Sequence, residues 1–394
     1  MRRRAFITLL GVGAIATITA ALVCPVEPAL AQFTQQGPKL VGGGGAGQVG
    51  QGRSVALSGD GNTAIVGGPY DNGSAGAVWV FTRSGGVWTQ QGNKLVGTGA
   101  VGPSEVDQGV SVALSGDGNT AIVGGPCDNA SPSGCFTTAG AVGAAWVFTR
   151  SGGVWSQQGN KLVGSGAVGN AQQGNSVALL GDGNTAIIGG YQDNSGAGAV
   201  WVFTRSGGVW SQQGNKLVGS AAVGNAGQGG SVSLSADGNT VIMGGSGDNM
   251  GWGAAWGFTR CDGGWSQQGN KLVAALTTAG VAHQGASVAL SGDGNTAFVG
   301  GPSDNGDTGA VWVFTRSGGV WTQQQKLVGS GAVGNPGPFE VGQGSSVALS
   351  ADGSTAIVGG PGDSGGGLVS ARCGCSSQAL PPTARPPTTS TVTG

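Results

Sequence analysis

From residue 54 onward, short apolar runs alternate with breaks rich in glycine. In Ser-Val-Ala-Leu-Ser (residues 54–58), Val55 and Leu57 fall on one side and Ser54 and Ala56 on the other, the two-residue period of a pleated strand. Asp60-Gly61 follows, a pair that tolerates the positive backbone angles of a tight hairpin. Residues 63–68 (Thr-Ala-Ile-Val-Gly-Gly) give a second strand, dense in β-branched side chains and stopped by Pro69. Beyond a loop of Gly, Asn and Asp, residues 77–83 (AVWVFTR) read as a third strand. Ser84-Gly85-Gly86 then makes a hairpin into a fourth, residues 87–96 (VWTQQGNKLV). No stretch sustains a helical period.

The same order returns along the chain. The hairpin Asp-Gly-Asn/Ser-Thr begins at Asp60, Asp117, Asp182, Asp237, Asp293 and Asp352, so six copies of one unit recur at intervals of 55–65 residues. A four-stranded antiparallel meander cannot cover both its faces alone, and stacking neighbours around a central axis covers them. The predicted fold is therefore all-β, a β-propeller of about six four-stranded antiparallel blades spanning residues 32–369. Residues 33–42 (FTQQGPKLVG) match a fourth strand but precede the first unit, while the last unit, from about Gln343, lacks one. The N-terminal strand is accordingly expected to close the last blade.

Composition sharpens this picture. Of 394 residues, 86 are Gly and only 9% are charged, without the every-third-residue glycine period of collagen. Seventeen basic groups against eighteen acidic ones provide no electrostatic footprint for nucleic acid. Residues 1–31 read as an export signal, with Arg2, Arg3 and Arg4 before an uncharged apolar run (residues 5–23) and Ala29-Leu30-Ala31 as the cleavage site. Arg3-Arg4-Ala5-Phe6-Ile7 resembles a twin-arginine signal, which implies export after folding. An uncleaved anchor is the other reading of this run. After cleavage near Ala31 the chain is expected to be secreted, periplasmic or at the cell surface, with no stable membrane insertion. In such an oxidising compartment Cys127 and Cys135, which bracket a loop insertion, are candidates for a disulfide.

The order Gly-x-Ser-Val-Ala-Leu-Ser, Asp-Gly-Asn-Thr-Ala-Ile-Val-Gly-Gly-Pro and Gly-Ala-Val-Trp-Val-Phe resembles the FG-GAP repeat of integrin α-chain propellers and of exported bacterial proteins, up to about Gly367. The resemblance implies a non-enzymatic adhesion-type module that contacts a protein or glycan. Two departures stand out. Phe-Gly appears as Gln-Gly, at Gln51, Gln108, Gln173, Gln228, Gln284 and Gln343, and Gly-Ala-Pro appears as Gly-Gly-Pro, or as Gly-Gly before Tyr191 or Ser246. The calcium loop of integrin-type units is reduced to one Asp in a tight turn, too few oxygens for calcium, so no metal or other cofactor is expected.

After Gly367 the third strand is replaced by Leu-Val-Ser-Ala-Arg-Cys-Gly-Cys-Ser. Codons for A-V-W-V-F, read one register over, encode R-C-G-C-S. Residues 370–394 are therefore expected to be a frameshifted tail without stable fold, and the parent to have had up to seven blades.

Repetition also sorts the chemistry. Asp71, Asp128, Asp193, Asp248, Asp304 and Asp363 recur in the loop between second and third strands, which makes them architectural by default and also places them on a binding face. The Lys on the fourth strands and the Arg ending the third strands read as edge-protecting charges. Ten of eleven Trp follow the repeat and read as core. Residues that break the pattern sit in the second-to-third loops (Tyr70, Tyr191, Trp252, Asp307) or in the unit-to-unit connections (Glu105, Asp107, His283, Glu340). An up-and-down meander brings both sets to one face, the expected binding surface. No catalytic set is evident. The competing expectation is a hydrolase or lyase of an extracellular polysaccharide, using Glu105 and Glu340 as a carboxylate pair. A third is a degraded gene product without present role.

Overall fold

The computed structural model describes residues 35–102, 105–131, 135, 141–274, 281–330 and 341–362, and the backbone of 372–376. The chain divides into two compact units, Met1–Pro38 and Lys39–Gly394. In the described part of the first, the Gln35 amide donates to the Gly37 carbonyl at 2.8 Å. Among the described residues, all the sheets belong to the second.

The first sheet holds β1 (Ser54–Leu57), β2 (Thr63–Gly68), β3 (Ala77–Ser84) and β4 (Val87–Gln90). The second holds β5 (Ser111–Leu114), β6 (Thr120–Gly125), β7 (Ala144–Ser151) and β8 (Val154–Gln157), and the third β9 (Ser176–Leu179), β10 (Thr185–Gly190), β11 (Ala199–Ser206) and β12 (Val209–Gln212). The fourth comprises β13 (Ser231–Leu234), β14 (Thr240–Gly245), β15 (Ala254–Cys261) and β16 (Gly264–Gln267). The fifth comprises β17 (Ser287–Leu290), β18 (Thr296–Gly301), β19 (Ala310–Ser317) and β20 (Val320–Leu327), and the last β21 (Ser346–Leu349), β22 (Ala356–Gly360) and β23 (Arg372–Ser376). Within every sheet the strands neighbour one another in chain order, all antiparallel. The first strands then line up, β1 beside β5, β5 beside β9, and so on to β21. This is the β-propeller the repeat predicts.

Each core lies between consecutive sheets. Ile122, Ala145 and Val147 of the second sheet meet Ile188, Trp201 and Phe203 of the third, and the same positions pack the third against the fourth. The second strands of the second to fifth sheets, β6, β10, β14 and β18, are buried along their whole length because they are central within a sheet that is covered on both faces. Their terminal glycines are dictated by two close approaches. A Cβ on Gly189 would lie 2.1 Å from the Gly229 carbonyl oxygen of the next sheet, and one on Gly190 would lie 2.8 Å from the Trp201 ring. Ser176 uses the first approach to donate from Oγ to that same carbonyl at 2.7 Å, stitching sheet to sheet.

The Gln of the Gln-Gly pair is a backbone clamp. Gln173, fully buried, accepts from Gly164 N–H at 2.5 Å and donates to Gly164 C=O at 3.0 Å, which satisfies both groups of a connection that lies against Trp201. Gln51, Gln108, Gln228 and Gln343 repeat the arrangement.

Two expectations are corrected at the chain's ends. Among the described residues the last sheet has three strands and residues 35–42 form no strand, so the N-terminal strand expected to complete the last blade is not found there. Instead Gly42 is held by Gln51, and the Gly43 carbonyl accepts from Trp79 Nε1 at 2.8 Å. Gly42 and Gly43 thus act as a unit-to-unit connection onto the first sheet, where the buried indole needs an acceptor. Val55 and Leu57 on that sheet stay 68% and 60% exposed, whereas their counterparts Val288 and Leu290 in the fifth sheet are each 7% exposed.

The tail, expected to lack stable structure, contributes β23. Its register sets Cys373 opposite Gly359, as Val78 stands opposite Gly67, so Arg-Cys-Gly-Cys-Ser occupies the place of Ala-Val-Trp-Val-Phe. The open edge of β22 offers backbone groups to any extended segment in reach. Residues 377–394 and the export signal, residues 1–31, lie outside the described residues.

Candidate binding face

The second-to-third loops and the unit-to-unit connections meet on one face. Gly76, which ends a loop of the first unit, bridges to Gln108, which ends the connection into the second, and Gly143–Gln173, Gly198–Gln228, Gly253–Gln284 and Gly309–Gln343 repeat the contact. Four of the loops carry one tight turn, α1 (Asp71–Ser74), α2 (Asp193–Gly196), α3 (Asp248–Gly251) and α4 (Asp304–Asp307). Their second residues, Asn72, Asn194, Asn249 and Asn305, have φ of 50–53°, a conformation Asn adopts more readily than most residues.

The loop aspartates are not available to a ligand, which corrects their place among the candidate binding residues. Asp71, Asp128, Asp193, Asp248 and Asp304 are buried, and each is paired with the Lys of its own unit, Lys94, Lys161, Lys216, Lys271 and Lys326 respectively. The other carboxylate oxygen of the first four accepts a backbone N–H from the preceding connection, from Ala46, Val101, Val168 and Val223. Each Asp thereby ties a loop to two connections. The Lys residues, expected to guard sheet edges, serve these pairs instead. Asp363 and Glu340 lie outside the described residues, so the carboxylate pair of the enzymatic reading is not brought together among the described ones.

The pattern-breaking residues remain on this face. Tyr70 is 48% exposed, Glu105 is exposed, and Tyr191, Trp252 and His283 are half-buried. His283 and Asp107 occupy one repeat position, just before the Gln clamp, which reads Gly50, Asp107, Gln172, Gly227, His283 and Gly342 and has positive φ in all six units. Asp and His are among the non-glycine residues that tolerate this. Around Asp107 the second unit is unlike the others. Cys127 and Cys135 form a disulfide, Asp107 Oδ2 lies 3.3 Å from Cys127 Sγ, and Gln172 donates to the Cys135 carbonyl at 3.1 Å.

Burial, and secondarily the charge of Glu105, push the Asp107 carboxyl up to about 6, against a hydrogen bond from Ser74 that pulls it down. The folded chain therefore holds this proton at a pH where the unfolded chain has released it. The stability Asp107 contributes is complete below about pH 4 and declines as pH rises through about 6. Unfolding titrations from pH 4 to 7 are expected to show this decline, and Asp107→Asn to flatten it. Asp60 behaves oppositely: hydrogen bonds from Ser58 and Asn62 lower it to about 2, so its contribution is lost only in strong acid.

One pocket of about 440 Å³ opens on the face between the third, fourth and fifth sheets. Its walls carry Asn175, Tyr191, Gln192, Asn225 and Ser246, separated by glycines. Tyr191 was legible as a candidate; Asn175, Gln192, Asn225 and Ser246 were not. The signal for them is the departure from the unit. After Gly-Gly the six units read Pro69, Pro126, Tyr191, Ser246, Pro302 and Pro361, and after Gln-Gly they read Arg53, Val110, Asn175, Gly230, Ala286 and Ser345. Proline is lost twice in succession where the neighbouring position shrinks to Gly and Ala, and the space left is the pocket.

A second cleft, of about 390 Å³, lies on the opposite, hairpin face between the fourth and fifth sheets. Its groups belong to the repeat and satisfy one another. Arg316 donates to Asn295 at 3.0 Å, Gln268 at 2.7 Å and Thr240 at 3.2 Å, and stacks over Trp321 at 5.4 Å. Arg150 and Arg205, on the second and third sheets, make matching contacts with Gln91 and Gln158 of the preceding sheet. These arginines are inter-sheet ties.

No protein-family model and no curated protein matches the chain. Among solved structures it is similar to hydrazine synthase of Kuenenia stuttgartiensis, at 13% identity and a TM-score of 0.48, over 82% of this chain and 78% of that one. What can be said of the site thus comes from its own residues: a rigid repeated frame whose irregular side chains are gathered on one face.

Proposed function

We propose that the chain is an exported, non-enzymatic binding module of FG-GAP type, which contacts a protein or glycan with the face formed by its loops and unit-to-unit connections. One observation carries the reading. Repeated charged groups are consumed in internal ties, while the residues that differ from unit to unit, with the 440 Å³ pocket among them, lie on that face. The N-terminal apolar segment and the FG-GAP-like order of motifs support export and adhesion.

The test uses the mature chain carrying Cys261→Ser, the residue of the sister units, together with Cys373→Ser and Cys375→Ser, with single cysteines introduced for a bulky maleimide. A label at Val223, 49% exposed on the loop face, is expected to abolish capture of extracellular protein and polysaccharide panels. A label at Val209, 70% exposed beside the opposite hairpins, is expected to leave it intact. Binding without bond cleavage is the expected outcome. Release of reducing ends from a bound polysaccharide would overturn the reading in favour of a hydrolase, and equal blocking by both labels would overturn the assignment of the face.

A further inference from the structure

We infer that the pocket between the third, fourth and fifth sheets is a subsite for a neutral sugar residue, with Tyr191 as its platform and Asn175, Gln192, Asn225 and Ser246 as its hydroxyl-reading groups. This deepens the binding reading above and rests on it. The argument begins with charge. No acid, base or cation stands among the lining residues, so the pocket has nothing to neutralise a phosphate, a sulfate, a uronic acid or an amine. Apart from the Tyr191 ring it also has no large apolar wall that would reward an aliphatic or lipid chain.

What it does offer matches a polyol. Amide side chains donate and accept at once, as do hydroxyl groups, so Asn or Gln can serve two adjacent sugar hydroxyls, one in each role. These groups are uncommitted: among the described residues no intramolecular hydrogen bond engages the side chains of Tyr191, Gln192, Asn225 or Ser246, and Asn175 makes only a 3.3 Å contact to the Gly230 carbonyl. The half-buried Tyr191 ring supplies an apolar surface for the C–H face of a pyranose, with its hydroxyl still free to bond. A volume of about 440 Å³ lies in the small-ligand range.

The backbone is set in advance. Asp193, two residues beyond Tyr191, fixes the loop to Val168 and Lys216, and the Gly227 N–H bonds the Gly196 carbonyl at 2.8 Å, holding the Asn225 connection against the neighbouring loop. Side chains on so fixed a frame lose little freedom on binding.

The repeat itself provides the decisive variant. Four units carry Pro where the third has Tyr191, and no backbone bond in the structure uses the Tyr191 N–H, so Tyr191→Pro restores the unit and removes the platform. The mature chain, Tyr191→Pro, Tyr191→Trp, Asn225→Ala and the opposite-face control Val209→Thr are titrated calorimetrically. The ligands are oligosaccharides of glucose, galactose and mannose, with sulfated and uronic acid-containing counterparts as the acidic arm.

At least one neutral oligosaccharide is expected to bind. Tyr191→Pro is expected to weaken it tenfold or more at unchanged melting temperature, Asn225→Ala to weaken it several-fold, and Tyr191→Trp and Val209→Thr to retain it. Preference for the acidic arm, or neutral binding indifferent to Tyr191→Pro, overturns the sugar subsite. If another ligand is captured and is blocked by the Val223 label yet not by Tyr191→Pro, the subsite fails while the binding face stands. If nothing is captured at all, both fail.

Discussion

Replacing Asp193 by Ala is expected to lower the unfolding free energy by about 3 kcal/mol, the lower end of what removing one partner of a buried ion pair costs. The carboxylate is buried, whereas the side chain of Lys216 retains 19% of its exposure. The ammonium left behind can therefore still reach water, which keeps the loss from being larger. The backbone has less relief, since the Val168 N–H loses its acceptor. Asp193→Asn separates the two effects, because its amide oxygen can keep the Val168 bond while the pair with Lys216 is lost. Lys216→Met in the Ala background should recover part of the loss by removing the unpaired charge. Urea unfolding measures the first effect, and hydrogen exchange at the Val168 amide the second. A change below about 1 kcal/mol in the Ala variant would show that the pair is a surface contact of the weak kind. Sugar binding should weaken with it, since the same clip holds the loop that bears Tyr191.

Trp201→Ala is expected to cost about 3–5 kcal/mol, the range for truncating a large buried aromatic side chain. The indole is fully buried between sheets, its Nε1 donates to the Ser165 carbonyl at 2.8 Å, and two glycines, Gly164 and Gly190, exist where any Cβ would strike the ring. The two glycines that flank the ring have no side chains with which to refill that space. Trp210 provides the internal comparison. It is half-buried beneath Arg205 at 5.4 Å and bonds Gln158 at 3.0 Å, so Trp210→Ala should cost clearly less. In a chain of stacked units the damage should be local: the second and third sheets separate first, and the denaturation curve of Trp201→Ala splits into two transitions. A single transition with a small shift would mean that the sheets are coupled more broadly than nearest neighbours.

How much was legible in the sequence follows from what repetition can reveal. The strands, their order, the hairpins and the face shared by loops and connections came directly from alternation and spacing, since a two-residue period and a Gly-rich turn are local properties. Within the candidate site, Tyr191 and Trp252 stood out because they broke the unit. The Asp–Lys pairs did not, because Asp193 and Lys216 are 23 residues apart and meet only when the loop folds back on the segment that follows its own fourth strand. The Gln-Gly departure was visible, yet its meaning as a clamp on Gly164 depends on where the connection runs. The pocket was hidden for the same reason, being bounded by residues of three units.

The ends show the limit most clearly. A match between residues 33–42 and the fourth-strand motif suggested closure of the last blade, but likeness of sequence does not choose between a strand's two roles. The Trp79 indole and the Gln51 amide made it a connection onto the first sheet. The sequence by itself determined what each unit is: four antiparallel strands, two glycines, a turn aspartate and a buried Trp, all set by local periodicity and sterics. Tertiary structure alone decided which charges are spent on holding the frame and which polar groups are left for a ligand, because burial and pairing depend on contacts between units that share no local sequence.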